Sequence, residues 1–357
     1  MAPEDQSVKI RNFILSNLPQ HPTDIVPYTA AAFSISRQAV SRHIKGLVAD
    51  QLIEKTGITR NLAYRLGSQY AAAPFIEALS IKPGMSEDVL WQNKLLPLLR
   101  GVKPNVLGIC DYGFTEMCNN VFSHALAHYL IIGLDRSAGK ITLRIGDDGI
   151  GIFEKIRAAA NLDDPREAIL ELSKGKFTTN PAEHSGEGVF FTSRMFDEFH
   201  ILSGGLIYIR DEEEWLLQRE PEDYEDARGT YVTMTISTGS ARTTKSVFDE
   251  YNGKDFSFSR THVPLKLAQM GDQSLISRSQ AKRVLSRFEK FNEVILDFKG
   301  VEEIGQGFAD EIFRVFRRAH PNIAVIPVNA CVAVAQMIVR AENTGGSEQA
   351  TKPKENG

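Results

Sequence analysis

Between Ile141 and Ile152 an alternating segment, Ile141-Thr142-Leu143-Arg144-Ile145-Gly146, runs straight into Asp147-Asp148-Gly149-Ile150-Gly151-Ile152. Alternation with period two predicts a half-buried strand, and the two glycines predict a tight turn. A carboxylate at the strand end is then free to accept an amino-group proton from a flat ligand lying on the turn. An Asp-Gly turn is common by itself, so the weight falls on its companions. Upstream, Glu116, Asn120 and His124 recur every four positions within Phe114–Ala125, which places an acid, a carboxamide and an imidazole on one helix face. Asn can give an oxygen to a hard cation such as Mg2+, and Glu can orient or deprotonate a nucleophile. Downstream, Ser185-Gly186-Glu187-Gly188 opens a further helix whose free N–H groups form a phosphate seat. Arg228-Gly229-Thr230 then leads into a last strand ending at Ile236.

The order and spacing of these four elements, over roughly residues 110–237, resemble the Bergerat-fold (GHKL) ATPases, the nucleotide module shared by gyrases and histidine kinases. The resemblance implies ATP and Mg2+ as ligands. It gives Glu116 the role of general base and Asn120 that of Mg2+ ligand. Asp147 matches the carboxylate that binds the adenine amino group, and Gly149 and Gly151 the turn beside the adenine. Gly186 and Gly188 match the phosphate-side glycines, and Thr230 the hydroxyl that supports the adenine water network. Phe153–His184 would be the ATP lid, a polar and mobile segment in which Lys176 is placed to reach a phosphate. Asp148 stands where the family often has Asn, and Val189 where it often has Leu.

A histidine kinase also needs an acceptor histidine on a helical hairpin just upstream of this module. The histidines are 21, 43, 124, 128, 184, 200, 262 and 320, and none falls between His43 and His124, which argues against autophosphorylation. Three functions stay open: an ATP-binding, slowly hydrolysing switch that controls DNA or partner binding, an anti-sigma-type Ser/Thr kinase acting on a separate protein, and a DNA-binding nucleotide sensor without catalysis. Dimerisation through the ATP module fits the family.

The N-terminal residues 1–67 have helical periodicity followed by a short ribbon. Between Ser34 and Leu66 six basic residues (Arg37, Arg42, Lys45, Lys55, Arg60, Arg65) face only two acids, Asp50 and Glu54. Ser36 is placed to cap a helix Arg37–Asp50, with Ala39, Val40, Ile44 and Leu47 as its core stripe. Arg37, Gln38, Ser41 and Arg42 then lie on the exposed side, where Arg and Gln suit base edges and Ser suits phosphates. The segment resembles a winged helix-turn-helix, with Arg60 near the wing tip, and the resemblance implies double-stranded DNA as partner. A helical protein-interaction module with a solvated basic face is the plainer alternative.

Residues 68–112, broken by Pro74, Pro83, Pro97 and Pro104, read as a connector. Residues 113–237 form the ATP-binding region, with the acidic run Asp211–Asp226 as a hairpin tip or insertion. Residues 238–255 read as a polar linker, 256–342 as alternating strands and helices, and 343–357 as a disordered tail. In the C-terminal region, Val294–Val301 reads as a buried strand and turn, and Gly305-Gln306-Gly307 leads into a helix Phe308–Ala319. These features resemble a STAS domain, the fold of anti-sigma-factor antagonists, which implies docking of a protein partner. Where antagonists carry a phosphorylatable Ser, this chain has Gly305-Gln306-Gly307 with no hydroxyl. The expected fold class is multidomain α/β: a mainly helical winged helix, a Bergerat α/β sandwich and a STAS-like α/β domain.

Composition sets the outer limits. At 357 residues the chain is long enough for two or three domains. A net charge of -4 excludes a general polycation, so contact with nucleic acid needs a local patch. Cys110, Cys118 and Cys331 show no CxxC spacing, against a disulfide framework or a cysteine-only zinc site and in keeping with a reducing compartment. MAPEDQSVKI has no apolar signal core. Ile323–Val339 is interrupted by Pro327, Asn329 and Gln336 and is short for a span. A cytoplasmic protein without a membrane partner is expected.

Overall fold

The computed structural model describes residues 21–57, 62–67, 74–99, 101–137, 139–178, 186–211, 215–219, 228–253, 257–269 and 274–343, with residues 7, 10, 11, 13–15, 17 and 18 before them. The N-terminal unit contains α1 (Ile25–Phe33), α2 (Arg37–Ala49), β1 (Ile53–Thr56) and β2 (Ala63–Leu66). Helix α2 starts where it does because Ser36 Oγ accepts the Ala39 N–H at 3.1 Å, relieving one of the unpaired donors of the first turn. Its stripe Val40, Ile44 and Leu47 is buried against Ile14, Ile25 and Ile53, in a core of its own. Strands β1 and β2 pair antiparallel, Ile53 opposite Leu66.

The central unit is built on one sheet. Its strands are β3 (Phe75–Ser80), β4 (Tyr129–Ser137), β5 (Lys140–Asp147), β6 (Glu198–Ser203), β7 (Leu206–Arg210), β8 (Trp215–Arg219) and β9 (Thr230–Ser237). They lie in the order β3-β4-β5-β9-β6-β7-β8, each pairing antiparallel with its neighbour. One face is covered by α3 (Pro104–Asn120), α4 (Ile152–Ala160), α5 (Glu167–Lys174), α6 (Gly188–Met195) and α7 (Thr244–Tyr251). Phe114, Phe190 and Phe191 from the helices and Leu143, Ile145 and Met234 from the strands are buried together.

Two boundaries differ from the sequence expectation. Residues 68–112 are no mere connector: β3 adds an edge to the sheet through pairs such as Ala78 with Ile131, and α3 begins at Pro104. The expected linker 238–255 contains α7, fixed by a reciprocal capping box between Thr243 and Ser246 and packed through Phe248 on Tyr112 and Phe191. Within the acidic run, residues 215–219 form β8 on the edge of the sheet; residues 212–214 and 220–227 lie outside the described residues, as do 344–357 of the expected tail.

The C-terminal unit has β10 (Arg260–Pro264), α8 (Arg278–Leu285), β11 (Glu293–Asp297), α9 (Gln306–Asp310), β12 (Ala324–Val328) and α10 (Val332–Asn343). Strands β10, β11 and β12 pair parallel in that order, which demands crossover connections, here carried by α8 and α9. Its core is continuous with that of the central unit. Phe258 bridges the two, with ring centroids 4.5 Å from Phe190 and 5.4 Å from Phe291. Among the described residues, no helix is long and apolar enough to cross a membrane.

Candidate functional site

A cavity of about 350 Å³ opens on the helical side of the central sheet. Helix α3 supplies Glu116 and Asn120, and the chain then widens into a π-turn, Val121–Ala125, before Leu126 adopts a left-handed conformation. The extra residue in that turn still leaves His124 on the cavity wall beside Asn120; single π-turns of this kind recur at functional sites. Strand β5 ends in Asp147, which also lines the cavity, and Thr230 at the start of β9 stands next to it.

Asp147 is oriented by the backbone. Its Oδ1 accepts the Gly149 N–H at 2.8 Å. Burial raises its pKa, and the N–H groups of Gly149 and Thr230 work against that rise. Gly149 therefore acts on the site through Asp147 rather than from the wall. Gly151 does reach the wall; it has φ +83°, and a Cβ there would come 2.7 Å from Ser203 Oγ, so another side chain would be strained and crowded at once. The Thr230 hydroxyl accepts the Ile152 N–H at 3.0 Å, tying β9 to the first turn of α4. Asp148 serves the frame instead: its exposed carboxylate accepts the N–H groups of His128 and Tyr129, both at 2.8 Å. Those bonds, Tyr129's first, hold it below the usual carboxylate range.

Gly186, Glu187 and Gly188 also line the cavity and lead into α6. A Cβ on Gly188 would overlap the Glu116 carboxylate, so glycine is what lets the N-terminus of α6 approach that acid. The Glu116 pKa is raised by burial first, then by the charges of Glu187 and Glu87. Lys155, one turn into α4, also lines the cavity and donates to the His124 carbonyl; burial lowers its pKa. Lys155 and Glu187 were not singled out from the sequence. Lys155 follows Gly151 by four positions, one helical turn, and that spacing is the signal that could have found it.

Glu116, Asn120, Asp147, Gly151, Gly186, Gly188 and Thr230 thus share one cavity. The lining combines a fixed carboxylate acceptor, a helix N-terminus beside an acid pair, and a lysine. A carboxylate acceptor suits a hydrogen-bond-donating group, and a helix N-terminus suits an anionic one. Among the described residues no group of three or more His, Cys, Asp or Glu is arranged to hold a metal ion. A cation here would rely on Asn120, a neighbouring carboxylate and the ligand's own oxygens, the ordinary situation for Mg2+.

The expected lid is only partly a loop. Helix α5 is buried from Ala168 to Lys174, against the mobile character expected of it, because the C-terminal unit covers its outer side; residues 179–185 lie outside the described residues. Lys176 does not point to a phosphate. Its ammonium donates to the Lys290 carbonyl at 2.9 Å and lies over the Phe258 and Phe291 rings.

The residues expected to face DNA lie on the N-terminal unit, which has a core of its own. Arg37, Gln38 and Arg42 are exposed on α2. Ser41 is half-buried, and its hydroxyl donates to the Arg37 carbonyl at 2.8 Å, which occupies it within its own helix. Arg60 lies outside the described residues.

Residues 280–333 match the family model of a STAS-like domain of unknown function (DUF4325). The C-terminal unit carries a STAS-like domain. In it, Gly305 caps α9, and the turn Gly305-Gln306-Gly307 carries no hydroxyl. No curated protein matches the chain.

Proposed function

We propose that the chain is an ATP-binding regulator with a GHKL-type central module, in which nucleotide bound with Mg2+ controls DNA or partner binding by the flanking units. The observation that carries this reading is the convergence of seven residues, spread from Glu116 to Thr230, on one cavity. In this reading Asp147 accepts the exocyclic amine of adenine, held ready by the Gly149 and Thr230 N–H groups. The N–H groups behind Gly186 and Gly188 seat phosphate oxygens, and Lys155 supplies a cation to the cavity lining. Asn120 would help hold a Mg2+ ion, which when bound would supply charge neutralisation for the phosphates. Glu116, its proton affinity raised by burial and Glu187, takes a proton from the water whose oxygen bonds to the terminal phosphorus while the bridging P–O bond breaks and ADP leaves with that electron pair.

The N-terminal unit reads DNA through Arg37, Gln38 and Arg42, a basic face on a chain of net charge -4. The STAS-like domain offers the protein-docking surface.

Timed incubation of the full chain with Mg2+ and γ-labelled ATP, with Asp147→Asn as the blank, tests the reading. Free phosphate from the wild type alone is expected. Label retained on protein would instead mark phosphotransfer and favour the kinase alternative. Equal turnover by the variant would remove Asp147 from the site.

A further inference from the structure

The STAS-like domain does not merely follow the central unit in sequence; it grips one wall of the cavity. That wall runs through Leu172 in α5 to Phe177 and Thr178. Three contacts hold it from outside. Lys174, with no exposed surface, donates to Glu171 Oε1 at 2.6 Å and to the carbonyls of Arg283 at 2.9 Å and Ser286 at 3.3 Å. The Thr261 hydroxyl donates to the Lys174 carbonyl at 2.7 Å. Arg287 makes the densest contact: Nε donates to Glu171 Oε2 at 2.8 Å, and the terminal nitrogens donate to the Glu171 carbonyl at 2.9 Å and the Lys176 carbonyl at 3.2 Å. The same guanidinium lies 4.7 Å from the centroid of the Phe177 ring.

The backbone on both sides of this contact is unusual. Arg287 sits at φ +64°, and Gly175 and Lys176 follow one another at φ +76° and +54°. Left-handed conformations at non-glycine residues persist only where surrounding contacts over-determine them. Here the contacts are those of Arg287 with the far side of the cavity wall. On its near side, the Phe177 backbone abuts Gly186, where a Cβ would overlap it.

We propose that Arg287 is a positioning residue for the central cavity: it clamps Glu171 and Phe177, so the wall is formed only while the STAS-like domain is docked, and docking regulates nucleotide binding. This role presupposes the nucleotide reading of the cavity. Guanidinium chemistry suits it, because a planar fork can pair a carboxylate, meet two carbonyls and stack on a ring together. Lysine cannot do all of these. By linkage, a partner that pulls the STAS-like domain away weakens nucleotide binding, and nucleotide in turn strengthens docking.

The test is isothermal titration of the full chain with Mg-ADP, for wild type, Arg287→Ala and Arg287→Lys, paired with amide hydrogen exchange. Arg287→Ala should weaken Mg-ADP binding roughly tenfold, and Arg287→Lys by an intermediate factor. In the wild type, Mg-ADP should slow exchange at residues 283–291 as well as around Asp147. In Arg287→Ala only the protection around Asp147 should remain, a loss that a purely structural role would not produce. Wild-type affinity in Arg287→Ala, or no protection reaching 283–291 in the wild type, overturns the proposal. If Arg287→Ala fails to fold, Arg287→Lys carries the test, and wild-type affinity there overturns it as well. Failure of the wild type to bind Mg-ADP is a separate outcome: it removes the nucleotide reading, and the proposal with it.

Discussion

The N-terminal unit and the STAS-like domain flank the same central sheet but are joined to the molecule in opposite ways. The N-terminal unit keeps a core of its own, formed by residues such as Ile25, Val40 and Leu47. The STAS-like domain shares a continuous core with the central unit, and its half-buried Arg287 pairs across the join with Glu171, the partner of the buried Lys174. A module with a private core can reorient without cost to its own folding. A module that shares a core must break apolar packing and strand buried charges to move. In the function proposed above the two ends would then have different tasks, the N-terminal unit engaging a target as a separable body and the STAS-like domain shaping the central cavity.

Breaking the shared core should have the largest effect. Phe190, buried among Phe191, Tyr251 and Phe258, links the sheet helices to the STAS-like domain. Phe190→Ala should cost about 3–5 kcal/mol and lower the melting of central and STAS-like units together. Leu47→Ala should cost about 2–5 kcal/mol but destabilise the N-terminal unit alone. Calorimetry separates these outcomes, and a joint shift in Leu47→Ala would erase the contrast between the two ends.

A smaller effect concerns the buried lysine at the join. Burial lowers the Lys174 pKa from its ordinary 10.5 to about 8. Between these values the unfolded chain holds a proton that the folded protein has released, so this group's contribution to stability rises with pH through that window. Below about 8 both states are protonated and the cost of burying the charge is present in full. The melting temperature of the wild type relative to Lys174→Met should therefore climb as pH rises from about 8 towards 10.5. A flat difference would contradict the buried-ammonium account.

The smallest effect belongs to the separable end. Arg42→Ala should weaken duplex DNA binding and reduce the dependence of log affinity on log salt by about one. The Mg-ADP affinity of the central cavity should not change.

What was legible in the sequence follows from the range of each signal. The turn at Gly149 and Gly151, the stripe Glu116–Asn120 and the cap at Ser36 are local, and local spacing fixes them. Strand β3 is local in composition but not in meaning. Its partner β4 lies some fifty positions away, and Pro74 and Pro83 on either side make it read as a break. Helix α7 was missed because only Val247, Phe248 and Tyr251 mark its apolar side, while its capping box lies in an otherwise polar stretch. Lys176 illustrates the limit most clearly. Its position in a presumed lid pointed to phosphate, yet left-handed backbone at Gly175 and Lys176 carries it to the rings of the STAS-like domain. No pattern within the lid encodes that partner.

The most direct test of the central claim is the equilibrium binding of Mg-ATP to the full chain and to Asp147→Asn, which preserves shape while replacing the carboxylate that the Gly149 and Thr230 amides hold in place. Saturable binding by the wild type, lost in the variant while the melting temperature holds, is the predicted result. Equal binding by both proteins, or none by the wild type, would contradict the assignment of this cavity to a nucleotide.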